Sequence, residues 1–240
     1  MKIKIIANPK KAWAVALSRE LSKHITKKTK HKTTRASADA TICVGGDGTI
    51  LYANHQGRLE GAVLGIGSDK SYICQLHKDD WRRKIESMLD GPTQKIMTIE
   101  CSIGPKKFVS VNDFVVHATH YRVAEMDVSI ETGNGKRKTE FEGDGMIISS
   151  AVGSTGYAYS AGGKKLRPGD RKISVVPICP YKRMFGPKII PEGGFVKITV
   201  GSDCAFITDG IFVRGLKKGE TVTVKKGPDM IFFKGVGTWE

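Results

Sequence analysis

The chain has 240 residues, 40% of them hydrophobic, and a formal net charge of +15. That apolar content fills one large packed core or two small ones, which excludes a disordered polymer, and no apolar run approaches the roughly 20 residues of a bilayer-spanning helix. The charge attracts polyanions, so nucleotides, polyphosphate and nucleic acid all stay open as ligand classes.

The opening MKIKIIANPK lacks the apolar core and small-residue cleavage site of a secretory leader, so a soluble cytoplasmic protein is expected. Residues 2 to 7 read as a strand. Residues 12 to 25 then put Trp13, Leu17, Leu21 and Ile25 on one helical stripe. The basic run at residues 23 to 35 carries no interleaved aromatic residue and is expected to be a solvated loop, which argues against nucleic acid as the partner. Residues 39 to 46 form a second strand that ends in glycines; a helix from about Thr49 and a buried strand at residues 61 to 67 follow. Strands alternating with helices imply a parallel sheet. Residues 79 to 90 close this half, with Asp79 or Asp80 as N-cap and Trp81, Ile85, Met88 and Leu89 inward.

After residues 91 to 93 the texture becomes short β-rich runs divided by turn signals, with a hairpin turn expected at Gly133 to Gly135. The fold class expected is therefore a Rossmann-like α/β domain at residues 1–93 and an all-β, sandwich-like domain at residues 94–240, the last residues being free to return to the first domain. Substrates are expected in the crevice between the two domains.

The five cysteines are scattered, odd in number and never arranged as CxxC, so they read as small buried hydrophobes rather than a disulfide or zinc framework. His117 and His120, three apart in a strand-rich segment, fall on opposite faces and make no zinc pair. The segment GLKKGETVTVKKG reads as an exposed basic hairpin.

The chemistry concentrates in two places. GGDGT at residues 45 to 49 sets Asp47 between glycines, where a strand meets a helix. Such a turn cradles phosphate through backbone N–H groups and the helix dipole. A carboxylate opposes phosphate binding, so its presence makes sense if it handles a proton or a metal ion beside the phosphate; otherwise Asp47 only caps the helix. The second place is GDGMIISSAVGSTGYAYSAGG at residues 143 to 163, where hydroxyls, free amides and a tyrosine in one loop suit a flat polar base.

These two stretches, with VNDFVV at residues 111 to 116, VPICP at residues 176 to 180 and TDG at residues 208 to 210, occur in an order that resembles the NAD kinase family along nearly the whole chain. The resemblance implies transfer of a phosphoryl group from ATP or inorganic polyphosphate to the 2′-hydroxyl of the adenosine ribose of NAD. It implies that Asp47 polarises or deprotonates that hydroxyl and that Gly46, Gly48 and Thr49 line the phosphates. It gives Asn112 and Asp113 the adenosine, Thr155, Gly156 and Tyr157 the adenine pocket, and Asp144 and Ser160 the nicotinamide end. With it come a homodimer or homotetramer and Mg²⁺ carried by the donor rather than by a protein cage.

Two segments depart from the family pattern. In GIGSDKSYIC at residues 65 to 74, Gly67 stands for the usual asparagine, and Asp69 and Ser71 for glycines. Ala151 and Val152 replace a proline and a hydroxyl residue. Two rivals therefore stand beside the NAD kinase reading: a related kinase acting on another nucleoside or polyol, and a non-catalytic binder of dinucleotide or nucleic acid.

Overall fold

The computed structural model describes residues 1–119 and 122–237, and the chain divides into two compact units: residues 1–96 together with the chain from Met230, and residues 97–229. His120, weighed above as a partner of His117, lies outside the described residues.

The first unit runs β1 (Lys2–Ala7), α1 (Ala12–Lys28), β2 (Lys32–Thr33), β3 (Ala40–Val44), α2 (Asp47–His55), β4 (Ala62–Gly67), β5 (Leu76–His77) and α3 (Trp81–Leu89). Its strands pair in parallel in the order β2-β1-β3-β4, with β5 added beside the end of β4. The reason is in the sequence: β3 is buried along its whole length, so it needs cover on both faces, and amphipathic helices supply it. α1 turns Ala14, Leu17, Leu21 and Ile25 inward with Trp13 partly covered, and α3 turns in Trp81, Ile85 and Leu89. Each large aliphatic side chain so buried contributes about 1.5–3 kcal/mol.

The basic run at residues 23 to 35 is mostly not a loop. Its first six residues extend α1 to Lys28, Lys32–Thr33 pairs with β1, and Ile25 and His31 are buried. α2 starts at Asp47, two residues before the periodicity suggests, because its first turn is set by glycine backbone rather than by apolar spacing. Asp80 occupies the N-cap position of α3 without a side-chain cap bond; its carboxylate pairs with Arg83 and Lys84 instead.

The second unit is built from β6 (Thr93–Ile103), whose first residues lie in the first unit, then β7 (Lys106–Ser110), β8 (Asp113–Ala118), β9 (Ala124–Thr132), β10 (Gly135–Gly143), β11 (Gly145–Ser149), the single turn α4 (Tyr157–Ser160), β12 (Lys172–Ile178), β13 (Lys188–Pro191), β14 (Phe195–Val200), β15 (Cys204–Thr208), β16 (Ile211–Leu216) and β17 (Thr221–Phe233). One antiparallel sheet has the order β13-β12-β11-β8-β15-β16. The other runs β10-β9-β14-β17, with β6 and β7 beyond. Phe114, Val116, Ile148 and Phe206 from the first sheet and Val128, Val196, Ile198 and Val222 from the second share one core, so the unit is a β-sandwich.

The β9–β10 hairpin turns at Gly133–Asn134, with Thr132 paired to Gly135. GLKKGETVTVKKG is not a hairpin: β16 pairs with β15 and β17 with β14, so the turn at residues 217–220 carries the chain from one sheet to the other. The final residues of β17 belong to the first unit, where Phe232 pairs in parallel with Val63. Among the described residues no helix is long and apolar enough to cross a membrane.

Candidate active site

In the first unit β3 ends at Val44, and Gly45 and Gly46 turn the chain into α2 at φ +142° and +96°, conformations that favour glycine. Their N–H groups both donate to Ile66 O, at 3.0 and 3.3 Å, which ties the turn to β4. Thr49 N donates to Gly46 O, and Thr49 Oγ1 is buried with no hydrogen-bond partner. A methyl at Gly48 would meet no atom within 4 Å, so packing does not demand glycine there and the space before it is open. Lys11, at the end of the β1–α1 loop, donates from Nζ to Gly45 O at 2.7 Å.

Asp47 is half-buried and does not stand clear, as a carboxylate flanked by glycines suggests it would. Its Oδ2 accepts from Tyr72 N at 2.6 Å, and its Oδ1 from Ile73 N at 2.9 Å and Cys74 N at 3.1 Å. The Cys74 thiol makes further side-chain hydrogen bonds to Asp47 and Ser71. Three successive amides from the turn after β4 thus fix the direction of one carboxylate.

The departures in that turn fit together. Ser71 N donates to Ser68 O, and Ser68 N returns a bond to Ser71 Oγ at 3.2 Å. A Cβ at Gly67 would overlap Ser71 Oγ and Cβ, so glycine at 67 is the condition for serine at 71. Gly67→Ala is expected to lower the melting temperature through overpacking worth about 1–3 kcal/mol. Adding Ser71→Gly, which removes the overlapped atoms, is expected to recover at least about half of the loss in the same calorimetric measurement.

In the second unit the residues of VNDFVV are held by an aspartate from far along the chain. Asp209, buried at φ +50°, accepts from Ser110 Oγ at 2.5 Å, Val111 N at 3.2 Å, Asn112 N at 2.8 Å and Asp113 N at 3.2 Å. An aspartate tolerates the left-handed backbone better than most residues. The loop at residues 150–156 docks on the same turn: Ser150 Oγ donates to Val111 O at 2.5 Å and Ser150 N to Asn112 O at 2.8 Å. Asn112 Oδ1 is buried without a hydrogen-bond partner, an acceptor that a ligand donor would satisfy.

Burial, reinforced by the neighbouring Asp209 carboxylate, pushes Asp113 up to about 7. Burial also raises Asp209, against the four hydrogen bonds that favour its ionised form. Asp113 therefore keeps its proton in the folded chain well above the range where the unfolded chain releases it. Between about pH 4 and 7 the native state binds more protons than the unfolded state, so stability falls as pH rises through that window. Asp113→Asn is expected to flatten this slope in denaturant titrations run at pH 4.5, 6 and 7.5; an unchanged slope would contradict the assignment.

The same unit gathers most of the other residues expected from sequence. Tyr157 is 44% exposed, and burial of the hydroxyl, then the proximity of Cys179, Asp113 and Asp144, raises its pKa. Asp144 is bracketed by β-sheet bonds to Ile178 O and from Ala118 N, and its side chain bonds the Cys179 thiol. Thr155 Oγ1 donates to Val152 O, and Gly156 starts α4. Ser160 Oγ donates to Gly156 O at 3.3 Å. Ala151 and Val152 are buried. Four cysteines are buried as expected, whereas Cys179 is exposed. Sequence reasoning missed Asp209, Lys11 and the 72–74 amides as parts of these constellations; TDG carried the only signal for Asp209.

Among the described residues no group of three or more His, Cys, Asp or Glu side chains is placed to hold a metal ion.

The family model for the ATP-NAD kinase C-terminal domain matches residues 111–233. The chain is 29% identical to the NAD kinase of Chlorobium limicola, over 96% of this chain and 90% of that protein. It is 32% identical to the NAD kinase of Clostridium perfringens, over 82% and 74%. In fold it is similar to a crystal structure of an NAD kinase from Archaeoglobus fulgidus in complex with ATP, with a TM-score of 0.81 at 18% identity and coverage of 98% and 94%. It is similar too to yeast NADH kinase complexed with NADH, with a TM-score of 0.80 at 19% identity and coverage of 97% and 82%.

Proposed function

Because the chain belongs to the NAD kinase family and is a phosphotransferase, we propose that it moves the terminal phosphoryl group of ATP or inorganic polyphosphate onto the 2′-hydroxyl of the adenosine ribose of NAD, giving NADP. The observation that carries this reading is the Asp47 carboxylate oriented by three amides. A carboxylate offers about four lone-pair sites, so roughly one remains for the hydroxyl proton. The Cys74 thiol, a weak donor, is the contact that yields to it.

Phosphoryl transfer asks for alignment and for neutralisation of spreading charge more than for covalent work by the protein. The N-terminal turn of α2, with the open space before Gly48, offers the positive end of a helix dipole to the phosphates, and Gly46 and Thr49 border it. In the second unit Asn112 Oδ1 accepts from the adenosine, Asp113 stands beside it, and the exposed face of Tyr157 stacks on adenine, with Thr155 and Gly156 shaping that pocket. Asp144 and Ser160 serve the nicotinamide end, completed by a second copy of the chain in a homodimer or homotetramer. Mg²⁺ enters with the donor's phosphates, whose charge it neutralises. A cytoplasmic location belongs to the same proposal.

The test is purified protein with NAD and Mg²⁺, given ATP in one series and polyphosphate in the other, with NADP read by an NADP-specific dehydrogenase. NADP formation with at least one donor is expected. If NAD stays unmodified while another nucleoside consumes donor in an Asp47-dependent way, the acceptor has been misread.

A further inference from the structure

Lys11 is set where a cation is costly. It is the N-cap residue of α1, the positive end of that helix's dipole, and no acidic residue lies in the helix's first turn to offset it. Among the described residues it makes no ion pair, although it is half-buried; its contacts are the carbonyl of Gly45 at 2.7 Å and the face of Trp13, with the ring centre 5.8 Å away. A half-buried ammonium without a counter-ion loses hydration that one carbonyl and one ring only partly replace.

Its place explains why the chain keeps it. Nζ would lie 3.8 Å from a Cβ on Gly46, so it overlooks the glycine turn that leads straight into Asp47. Two features that suit an anion meet there: this unpaired ammonium and the N-terminal turn of α2.

Building on the phosphotransfer reading above, we propose that Lys11 is a catalytic residue, its ammonium binding the terminal phosphate of the donor at the Gly45–Gly46 turn and neutralising the charge that spreads over that phosphate during transfer. The bond that forms joins the ribose 2′-oxygen to the terminal phosphorus. The bond that breaks joins that phosphorus to the bridging oxygen, which leaves with the electron pair on ADP or on the shortened polyphosphate. The hydroxyl proton passes to Asp47, and Lys11 stays protonated throughout, so it acts through charge alone.

The experiment compares wild type with Lys11→Met and Lys11→Arg in the full chain, measuring NADP formation against donor concentration at saturating NAD, against NAD at saturating donor, and the melting temperature of each protein. For Lys11→Met, kcat/KM for the donor is expected to fall by about 10²- to 10³-fold, with KM for NAD within about threefold of wild type. Lys11→Arg, which keeps the charge, is expected to recover activity to within about tenfold of wild type. The melting temperature of Lys11→Met is expected to equal or exceed that of wild type, because an uncompensated cation leaves a helix N-terminus; a merely structural lysine would lower it. An active wild type with an equally active Lys11→Met overturns the proposal and leaves the phosphotransfer reading standing. So does a loss that Lys11→Arg shares in full and a lowered melting temperature accompanies. A wild type that phosphorylates NAD with neither donor overturns both.

Discussion

Asp47→Asn is expected to cut the turnover of NAD to NADP at least about 10²-fold while leaving KM for NAD within about threefold. The substitution removes the oxygen proposed to take up or polarise the proton of the acceptor hydroxyl, yet the proposed adenosine contacts belong to residues of the second unit. It has a second consequence that a bare carboxylate would not have. Tyr72 N faces one carboxylate oxygen, and Ile73 N and Cys74 N face the other. Whichever way the asparagine amide is turned, at least one backbone donor then faces an NH₂ group. A buried donor left unsatisfied costs about 1–3 kcal/mol, so the variant should also melt a few degrees lower. Faster amide exchange at residues 72–74 is the matching local signature. Loss of turnover without any change in that turn would mean that the carboxylate is held by something other than these amides.

Asp209→Ala is expected to produce the opposite kinetic pattern: KM for NAD raised at least about tenfold with a smaller fall in kcat, together with a stability loss of about 3 kcal/mol or more. The side chain gathers one hydroxyl and three successive backbone amides that precede or carry Asn112 and Asp113. Removing it takes that acceptor from the three amides, while Ser110 Oγ keeps the Asp113 carbonyl, and the turn that presents Asn112 relaxes. It also removes the charge that helps to hold Asp113 protonated, so the pH at which Asp113 titrates should move down. Steady-state kinetics and chemical denaturation of the same preparation measure both effects. A variant with normal KM for NAD would show that the 110–113 turn is not the adenosine grip.

Much of this architecture is legible without coordinates because it follows from local rules. The parallel first unit is visible in strands such as Ala40–Val44 that are apolar but for Thr41 and bounded by helical stripes, and the β9–β10 hairpin in its glycine-flanked turn. What escapes is long-range or electrostatic. The partners of Asp47 lie 25 to 27 residues ahead and those of Asp209 96 to 99 residues behind, and no periodicity links such distances. Lys11 is one of 39 basic residues and looks like the others until the fold leaves it without a counter-ion among the described residues. The substitution of glycine at 67 reads as a loss in sequence, and only the position of Ser71 shows that serine there requires it. The turn at residues 217–220 was misread because strands that follow one another in the chain need not pair.

Two aspartates, each held by a run of consecutive amides, organise the two halves of this chain, and the first of them carries the chemical claim. The most direct test presents the protein with ATP, Mg²⁺ and either NAD or its analogue lacking the adenosine 2′-hydroxyl, following phosphate transfer by ³¹P NMR and analogue binding by calorimetry. The analogue is expected to bind within about tenfold of NAD, as the loss of one hydrogen-bonding group permits, and to accept no phosphate. Phosphate appearing on the analogue would place the transfer at another oxygen and contradict the role given to Asp47.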